Sequence, residues 1–168
     1  LRVGPGCGVV SADLINGDML VYAPEGAVDL HTVNGRILLL DSASGGKAST
    51  VDGSIYARLR GGELDADVAN GFIGVTLLDP AVKRCDLSSV NGHISVGLTP
   101  ACRTQVDAQT ERGTVSCDLK AEPVLLPGSY TRAWRGTAVG HAAAWDSGPL
   151  CLIHLRARNG NLAIREDG

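Results

Sequence analysis

One short unit recurs along the chain: apolar and polar residues alternate on either side of an Asn-Gly or Asp-Gly pair. It is clearest as V-D-L-H-T-V-N-G-R-I at 28–37 and C-D-L-S-S-V-N-G-H-I at 85–94, and it returns as I-H-L-R-A-R-N-G-N-L at 153–162. Aligned on the glycine, the units are centred on Gly17, Gly35, Gly53, Gly71, Gly92, Gly113, Gly136 and Gly160. The first three intervals are 18 residues, the next two are 21, and the last two are 23 and 24. Internal periods of this length are typical of solenoid proteins.

The residues around each glycine alternate in polarity with a period of two. Two places after the glycine, every unit carries an apolar residue: Met19, Ile37, Ile55, Ile73, Ile94, Val115, Ala138 and Leu162. The positions five and seven before the glycine are also mostly apolar, and the residues between them are mostly polar. Period two indicates β-strands with one buried face, and Asn-Gly favours a bend because both residues tolerate positive φ.

Equivalent positions share residue types, which is expected if each unit pairs in parallel with the next at a spacing of about 4.8 Å. Ile37 would then lie beside Ile55 in a continuous aliphatic ladder. We therefore predict an all-β fold, a single parallel β-solenoid of about seven to eight coils with two main strands per coil and Asn-Gly type bends. It forms one domain over 1–168 with an irregular insertion at about 121–150.

Composition agrees with a core built from strands and gives no sign of several function classes. Of the 168 residues 44% are apolar but only 4% are aromatic, so the core must consist of Val, Ile, Leu and Ala. A net charge of −3 without a basic run gives no indication of a nucleic-acid partner. No apolar run approaches the roughly 20 residues of a membrane span.

The units T-V-N-G-R-I, T-V-D-G-S-I, V-A-N-G-F-I and S-V-N-G-H-I resemble those of the adhesin β-strand-repeat family, a mostly bacterial family of β-solenoid domains. The resemblance covers about 8–119 and returns at 151–165. It implies a non-enzymatic, adhesin-like structural or binding module that presents a face to a protein or a glycan. It also implies an extracytoplasmic location, and it carries over no catalytic residue.

The chemistry-bearing residues give little sign of catalysis. The turns are short, and no G-x-S-x-G, H-E-x-x-H, phosphate loop or C-x-x-C occurs. Stacking in chain order would place Asp65, Asp86 and Asp107 in one outward row, either a site for a cation or basic partner or, as we prefer, a solvated face. The four histidines fall at four different repeat positions and have no metal-ligand spacing. We predict no enzyme activity, no cofactor and no metal, with a carbohydrate-active β-helix enzyme as the least favoured alternative.

The cysteines are Cys7, Cys85, Cys102, Cys117 and Cys151, an odd number, so at least one is unpaired within the chain. Stacking in chain order places Val106 beside Cys85 and Val96 beside Cys117, which predicts no ladder disulfide, although Cys102 could reach Cys85. Free thiols favour a reducing compartment. They favour the alternative function, an accessory or scaffold subunit of a larger intracellular assembly, for example in an organelle.

The irregular segment 121–150 holds both tryptophans of a chain poor in aromatic residues. Because Trp and Tyr dominate interaction hot spots, we predict Tyr130, Trp134 and Trp145 as binding residues for a protein partner, with a glycan as the alternative. The competing interpretation is that the segment folds over an edge of the stack and buries both tryptophans. Trp134 falls where Val33 and Val51 stand in other units.

Overall fold

The computed structural model describes residues 1–118, 120–121, 132–139 and 150–166, of which 120–121, 132–134 and 138–139 are described by their backbone alone. Every regular element in these residues is a β-strand, and the strands join in a single sheet. The strands are β1 (Arg2–Val3), β2 (Val10–Asn16), β3 (Met19–Tyr22), β4 (Val28–Ser42), β5 (Gly45–Leu59), β6 (Gly62–Leu77), β7 (Val82–Leu98), β8 (Arg103–Arg112), β9 (Val115–Cys117), β10 (Lys120–Ala121), β11 (Arg132–Val139), β12 (Leu150–Asn159) and β13 (Leu162–Glu166).

The repeat units pair in parallel, and each position lies opposite its equivalent in the neighbouring unit. Ile55 has Ile37 on one side and Ile73 on the other, and Ile73 in turn lies opposite Ile94. Only the pairs β8–β11 and β10–β11 are antiparallel among the described strands. The predicted all-β class and the parallel, in-register pairing of these units are confirmed.

The core is one cluster of aliphatic side chains contributed by both halves of each unit. Its largest fully buried members are Met19, Leu30, Ile37, Leu39, Ile55, Leu59, Leu64, Ile73, Leu77, Leu87, Ile94 and Leu98. The inward positions include those expected from the alternation. The residue three before the glycine is inward as well, and there Thr32 and Thr50 are buried although they are polar.

The Asn-Gly pair bends the chain within a strand. In β4 to β7 the strand runs through the pair without a break, so the predicted division into two strands is replaced by one bent strand. The glycine φ values, +151° at Gly35 and +159° at Gly53, disfavour a side chain. A Cβ on Gly53 would also overlap the carbonyl oxygen of Gly35. The repeat therefore requires glycine because the bends stack backbone on backbone.

Side-chain amides reinforce the stack beside the glycines. The carboxamide nitrogen donates to the side-chain oxygen of the neighbouring unit in the pairs Asn34–Asn16 (2.9 Å), Asn70–Asp52 (2.7 Å), Asn91–Asn70 (2.9 Å) and Asn159–Asn91 (2.8 Å). Each amide can both donate and accept, so the same residue type can be repeated along the column. This explains why the residue before the glycine is so often Asn.

The last unit of the sequence is not the last unit of the stack, because it is inserted between two earlier units. β12 lies between β7 and β8, and β13 lies between β7 and β9. Ile153 has Cys85 on one side and Val106 on the other, so the prediction that Val106 stacks on Cys85 is wrong. The register of β8 relative to β7 nevertheless keeps the 21-residue step, with one strand inserted between them.

Charge explains why β12 fits this place. Its outward side chains include His154, Arg156 and Arg158. His154 lies between Asp86 of β7 and Asp107 of β8, and the Nε of Arg158 is 3.4 Å from the Oε2 of Glu111. In chain order, Asp86 and Asp107 would be direct neighbours, and like charges opposite each other destabilise a sheet. A basic strand between two acidic ones removes that repulsion.

The unit around Gly136 does not stack in parallel. β11 runs antiparallel to β8, with Gly136 opposite Val106 and Trp134 opposite Ala108, so this unit departs from the parallel pairing of the others. Where other units carry an apolar residue four places after the glycine, this unit has Gly140, so it lacks the second half of the inward pattern.

Candidate binding site

Outward side chains form two strips on the sheet, because inward and outward residues alternate along every strand. We call the strip before the glycines the acidic face, since it carries Asp13, Asp29, Glu63, Asp65, Asp67, Asp86 and Asp107. The strip after the glycines is the aromatic face, and it carries Tyr22, Tyr56 and Phe72. These three are the aromatic residues whose side chains the structure describes, so all of them lie on one face.

A pair of aromatic rings defines the candidate site on the aromatic face. The ring centroids of Tyr56 and Phe72 are 5.5 Å apart, and the ring planes are inclined by 40°. Both rings lean over Gly74, where a Cβ would stand 2.8 Å from Phe72 Cε1 and 3.2 Å from Tyr56 Cδ1. Tyr56 remains 41% exposed. The glycine thus creates the space in which two rings lie against the sheet while Tyr56 stays partly exposed.

The rings border a shallow trough across neighbouring strands. A depression of about 440 Å³ is lined by Tyr56, Phe72, Gly74 and Gly97, among others. A second one of about 360 Å³ adjoins it and shares Phe72, Ser95 and Arg165 with the first. Small residues on β6, β7 and β13 form the floor, namely Gly74, Ser95, Gly97 and Ala163. We call the two depressions together the aromatic trough.

Arginines stand on the rim of the aromatic trough. Arg58 Nη2 is 3.4 Å from Asp41 Oδ1, and Arg165 Nε is 3.9 Å from Asp118 Oδ2. Asp41 adopts a left-handed conformation with φ of +56°, which a non-glycine residue rarely does. It also lies 3.9 Å from Arg60 Nε. Since each guanidinium has five N–H donors, both rim arginines keep donors for a ligand while a carboxylate orients them.

The acidic face differs from its prediction. Asp65 and Asp86 are direct neighbours, but His154 separates Asp86 from Asp107, so the predicted unbroken row of three carboxylates is wrong. Arg84 Nε lies 2.6 Å from Asp86 Oδ2, and Arg135 Nη2 lies 2.7 Å from Asp107 Oδ2. Two of the seven carboxylates of this face, Asp86 and Asp107, are therefore neutralised by arginines.

The surroundings shift the pKa of two of these carboxyls in opposite directions. Burial, followed by the charges of Asp67 and Asp86, raises the pKa of Asp65. At Asp107 burial also acts to raise the pKa, but hydrogen bonds from Arg135 and Gln109 outweigh it, and the pKa is lowered. Among the described residues, no three His, Cys, Asp or Glu side chains form a group that could hold a metal ion.

The buried thiols belong to the core. Cys7, Cys85, Cys102 and Cys151 carry free thiols, so no bridge joins Cys102 to Cys85. A hydrogen bond with Cys151, together with burial, raises the pKa of Cys85 well above its ordinary value, and burial raises the pKa of Cys102. Protonated, enclosed thiols are poor nucleophiles. Cys117 lies opposite Ile164 rather than Val96, because the last unit is inserted there.

The predicted binding residues are not brought together by any described contact. Tyr130 and Trp145 lie outside the described residues, and Trp134 is described only by its backbone, in β11. The aromatic trough was not predicted, although the sequence contains its signal. Tyr56 and Phe72 stand three and one places after the glycines of adjacent units, and Gly74 follows Phe72 by two, so parallel pairing brings all three together.

The described part of the chain contains no helix that could serve as a membrane span. Comparison with known protein families, characterised proteins and solved structures finds no match. The resemblance to the adhesin β-strand-repeat family therefore stays a prediction, and the function must be argued from the site itself.

Proposed function

We propose that the chain is a parallel β-solenoid of seven stacked coils that acts as a non-enzymatic, adhesin-like binding module, with a saccharide as the ligand of the aromatic trough. The solenoid interpretation is supported by the parallel pairing of equivalent positions from β2 to β9. It is also supported by the column of bend glycines, each of which, apart from Gly17 at the end of the column, approaches the carbonyl oxygen of the glycine beside it.

The observation that carries the proposal is the ring pair of Tyr56 and Phe72 over Gly74. A sugar ring has an apolar face of C–H groups and a rim of hydroxyls. The apolar face can lie on an aromatic ring, while the hydroxyls reach donors and acceptors at the edge of the site. Arg58 and Arg165 supply such donors at the rim, and their carboxylate partners supply acceptors.

The size and the shape of the trough favour a small, extended and polar ligand. Its larger depression, about 440 Å³, lies within the range of roughly 300–1,000 Å³ that is typical of small-molecule sites. The adjoining depression adds His93 and Asn161, so its lining is mixed rather than purely apolar. An open trough with an aromatic wall and a polar continuation suits two or more linked sugar rings.

No catalytic step belongs to this proposal. A saccharide-cleaving site needs two carboxyl groups beside the bound sugar, one of them free to act as an acid. The acidic face lies on the other outward strip, and its carboxylates at Asp86 and Asp107 are engaged by arginines at 2.6 and 2.7 Å. Asp41 and Asp118, the carboxylates that hold the rim arginines of the trough, are likewise engaged in ion pairs.

The test is a titration of the chain with a panel of neutral and acidic oligosaccharides, followed by calorimetry. We expect Tyr56→Ala to weaken the binding of any saccharide that binds by at least about fivefold. Stacking on an aromatic ring contributes about 1 kcal/mol or more, by analogy with bases stacked on aromatic side chains. Tyr22→Ala is the matched control, because Tyr22 is a similarly exposed tyrosine of the same face that does not line the trough. Equal losses in both variants, or no binding across the panel, would contradict the proposal.

A second candidate is the accessory subunit of an intracellular assembly, favoured by the free thiols of Cys7, Cys85, Cys102 and Cys151. Thiols in an oxidising compartment are usually paired. Thiol titration of the native protein, isolated with an alkylating agent present, tests this candidate. Reduced cysteines together with a co-purifying partner would favour it over the saccharide-binding module, and disulfides in the isolated protein would rule it out.

A further inference from the structure

One end of the stack has an open strand edge. Within the described residues, β4 is the only strand that pairs with β2, whereas β3 has β4 on one side and β1 on the other. The second half of the first unit is therefore covered, and the first half is not. The outer edge of β2 presents backbone N–H and C=O groups that can pair with another strand.

Among the described residues, apolar side chains are most exposed at this edge. Val9 is 82% exposed and Ile15 is 71% exposed, the two highest values among the large apolar side chains of the described residues. Ala12 and Leu14 point into the core but are only partly buried, whereas Leu30, the equivalent of Ala12 in the next unit, is 1% exposed. The hydrophobic core thus continues to the open edge without a cover.

The other end of the stack shows how such an edge is covered. There β11 pairs antiparallel with β8 along its whole length, from Arg132 opposite Thr110 to Val139 opposite Arg103. At this end of the stack, the first half of a repeat unit therefore pairs with an antiparallel strand. β2 is the equivalent half-unit at the opposite end.

We propose that β2 pairs antiparallel with β2 of a second copy of the chain, about a twofold axis that passes beside Ala12. In this register Ala12 faces its own equivalent, Val10 faces Leu14, Ser11 faces Asp13, and Val9 faces Ile15. A twofold axis perpendicular to the sheet makes the paired strands antiparallel, as a symmetric dimer requires.

The sequence from Val9, the residue before β2, to Ile15 is self-complementary in this register. The two most exposed apolar residues, Val9 and Ile15, cover each other on the outward side, and Val10 covers the partly buried Leu14 on the inward side. Each Asp13 carboxylate meets the hydroxyl of Ser11. A register centred on Asp13 would instead place two carboxylates directly opposite each other, which destabilises a strand pair. This agreement on both sides of the strand points to a second copy as the occupant of the edge.

The test is sedimentation velocity of the full chain over a wide concentration range, with two lysine variants. Ile15→Lys should raise the dimer dissociation constant by at least about tenfold, because it places a charge in the apolar contact. Val90→Lys is the matched control: Val90 occupies the same position two residues before the bend glycine and is 46% exposed, but it lies within the stack. That variant should dimerise like the parent chain.

A cysteine placed on the axis tests the register. Ala12→Cys should form an intermolecular disulfide under mild oxidation, since directly opposed residues of an antiparallel pair have Cα atoms about 4.5–5.5 Å apart, within disulfide range. Ile15→Cys should not cross-link to itself, because Val9 faces it. Peptide mapping distinguishes these bridges from any that involve Cys7.

Three results would overturn the proposal. The first is a chain that stays monomeric over the whole concentration range, and in that case protection of the β2 amides from hydrogen exchange would show that another part of the chain covers the edge. The second is a dimer that Ile15→Lys and Val90→Lys weaken equally. The third is a dimer whose Ala12→Cys variant does not cross-link. Saccharide binding in the aromatic trough is independent of all three outcomes.

Discussion

At Asp65 and Asp107, the same residue type at the same repeat position meets opposite surroundings. Asp65 lies beside Asp86 and near Asp67, whereas Asp107 receives hydrogen bonds from Arg135 and Gln109. The pKa of Asp65 is raised and that of Asp107 is lowered relative to the ordinary value of 3.8. Position in the repeat therefore fixes where a carboxyl points, while its neighbours decide whether its charge stabilises the fold.

Asp65→Asn and Asp107→Asn should change stability in opposite directions at neutral pH. The ionised Asp107 is favoured by folding, so Asp107→Asn should lower the free energy of unfolding by about 1 kcal/mol or less. That loss should shrink as the pH falls below 3.8, because the parent then loses the same charge. The ionised Asp65 is disfavoured by folding, so Asp65→Asn should leave stability unchanged or slightly higher at neutral pH and match the parent in acid. Urea denaturation at several pH values measures both effects, and equal losses would contradict the assigned surroundings.

Two buried threonines at equivalent positions differ in their hydrogen bonds. Thr110 Oγ1 donates to the carbonyl oxygen of Gly160 at 2.9 Å, whereas Thr50 Oγ1 is buried with no partner among the described residues. We expect Thr50→Val to raise the free energy of unfolding by about 1 kcal/mol, because Val removes an unsatisfied hydroxyl and Val68 already occupies this position in the next unit. Thr110→Val should lower it by about the same amount. If both variants lose stability in denaturant melts, the Thr50 hydroxyl has a partner.

At the scale of the strand, the bend glycines show two separate costs of adding a side chain. One is the strain of a positive φ, and the other is the overlap of a Cβ with a neighbouring backbone. Gly17 and Gly53 both have positive φ, +124° and +159°, but only at Gly53 would a Cβ overlap a neighbouring carbonyl oxygen. Gly17→Ala should therefore cost about 1–3 kcal/mol of backbone strain alone. Gly53→Ala should cost clearly more and prevent folding if the parent is only marginally stable. Thermal unfolding of the two variants would refute this account if their midpoints were equal.

The stability of the stack around the inserted strand β12 should depend on which charge stands at position 154. His154→Asp would place three carboxylates in adjacent strands, with Asp86 and Asp107 on either side, and should lower the free energy of unfolding by about 1 kcal/mol. His154→Asn is the control, since it adds no charge, and it should have a smaller effect. Equal melting midpoints for the two variants at neutral pH would contradict the electrostatic explanation for the insertion.

The first five units could be predicted from the sequence because their spacing and their glycines leave only one register. The place of the last unit could not. Gly160 lies against the carbonyl oxygen of Gly92, and Gly113 lies against that of Gly160, so each junction has the same kind of backbone contact. The order of the units therefore depends on side chains such as His154, which faces Asp86 and Asp107. The repeat pattern in the sequence is the same whether β12 lies between β7 and β8 or follows β8 in chain order. The pattern therefore cannot distinguish the two arrangements.

The aromatic trough could not be predicted from the repeat pattern either. The composition drew attention to the tryptophans of 121–150, whereas the described aromatic residues gather on a regular part of the sheet. Tyr56 and Phe72 are three and one places past their glycines, so they share no column, and only the diagonal contact across two strands brings their rings within 5.5 Å. Alternation alone reports which face a residue occupies, and it does not report which residues lean over a neighbouring glycine.

At the scale of the whole molecule, each unit contacts mainly the units beside it. A destabilising substitution should therefore weaken its own unit and the neighbouring units before it unfolds the whole stack. Ile73 is fully buried in the middle of the stack, and Ile73→Ala should cost about 2–5 kcal/mol. In native-state hydrogen exchange, we expect amide protection to fall most in β6, less in β5 and β7, and least in β2 and β3. The control is Val90→Ala, an exposed position of β7 that lies outside the proposed dimer contact, and it should change protection little. A uniform loss of protection in Ile73→Ala would mean that the stack opens only as a single cooperative unit, and the nearest-neighbour description would then fail.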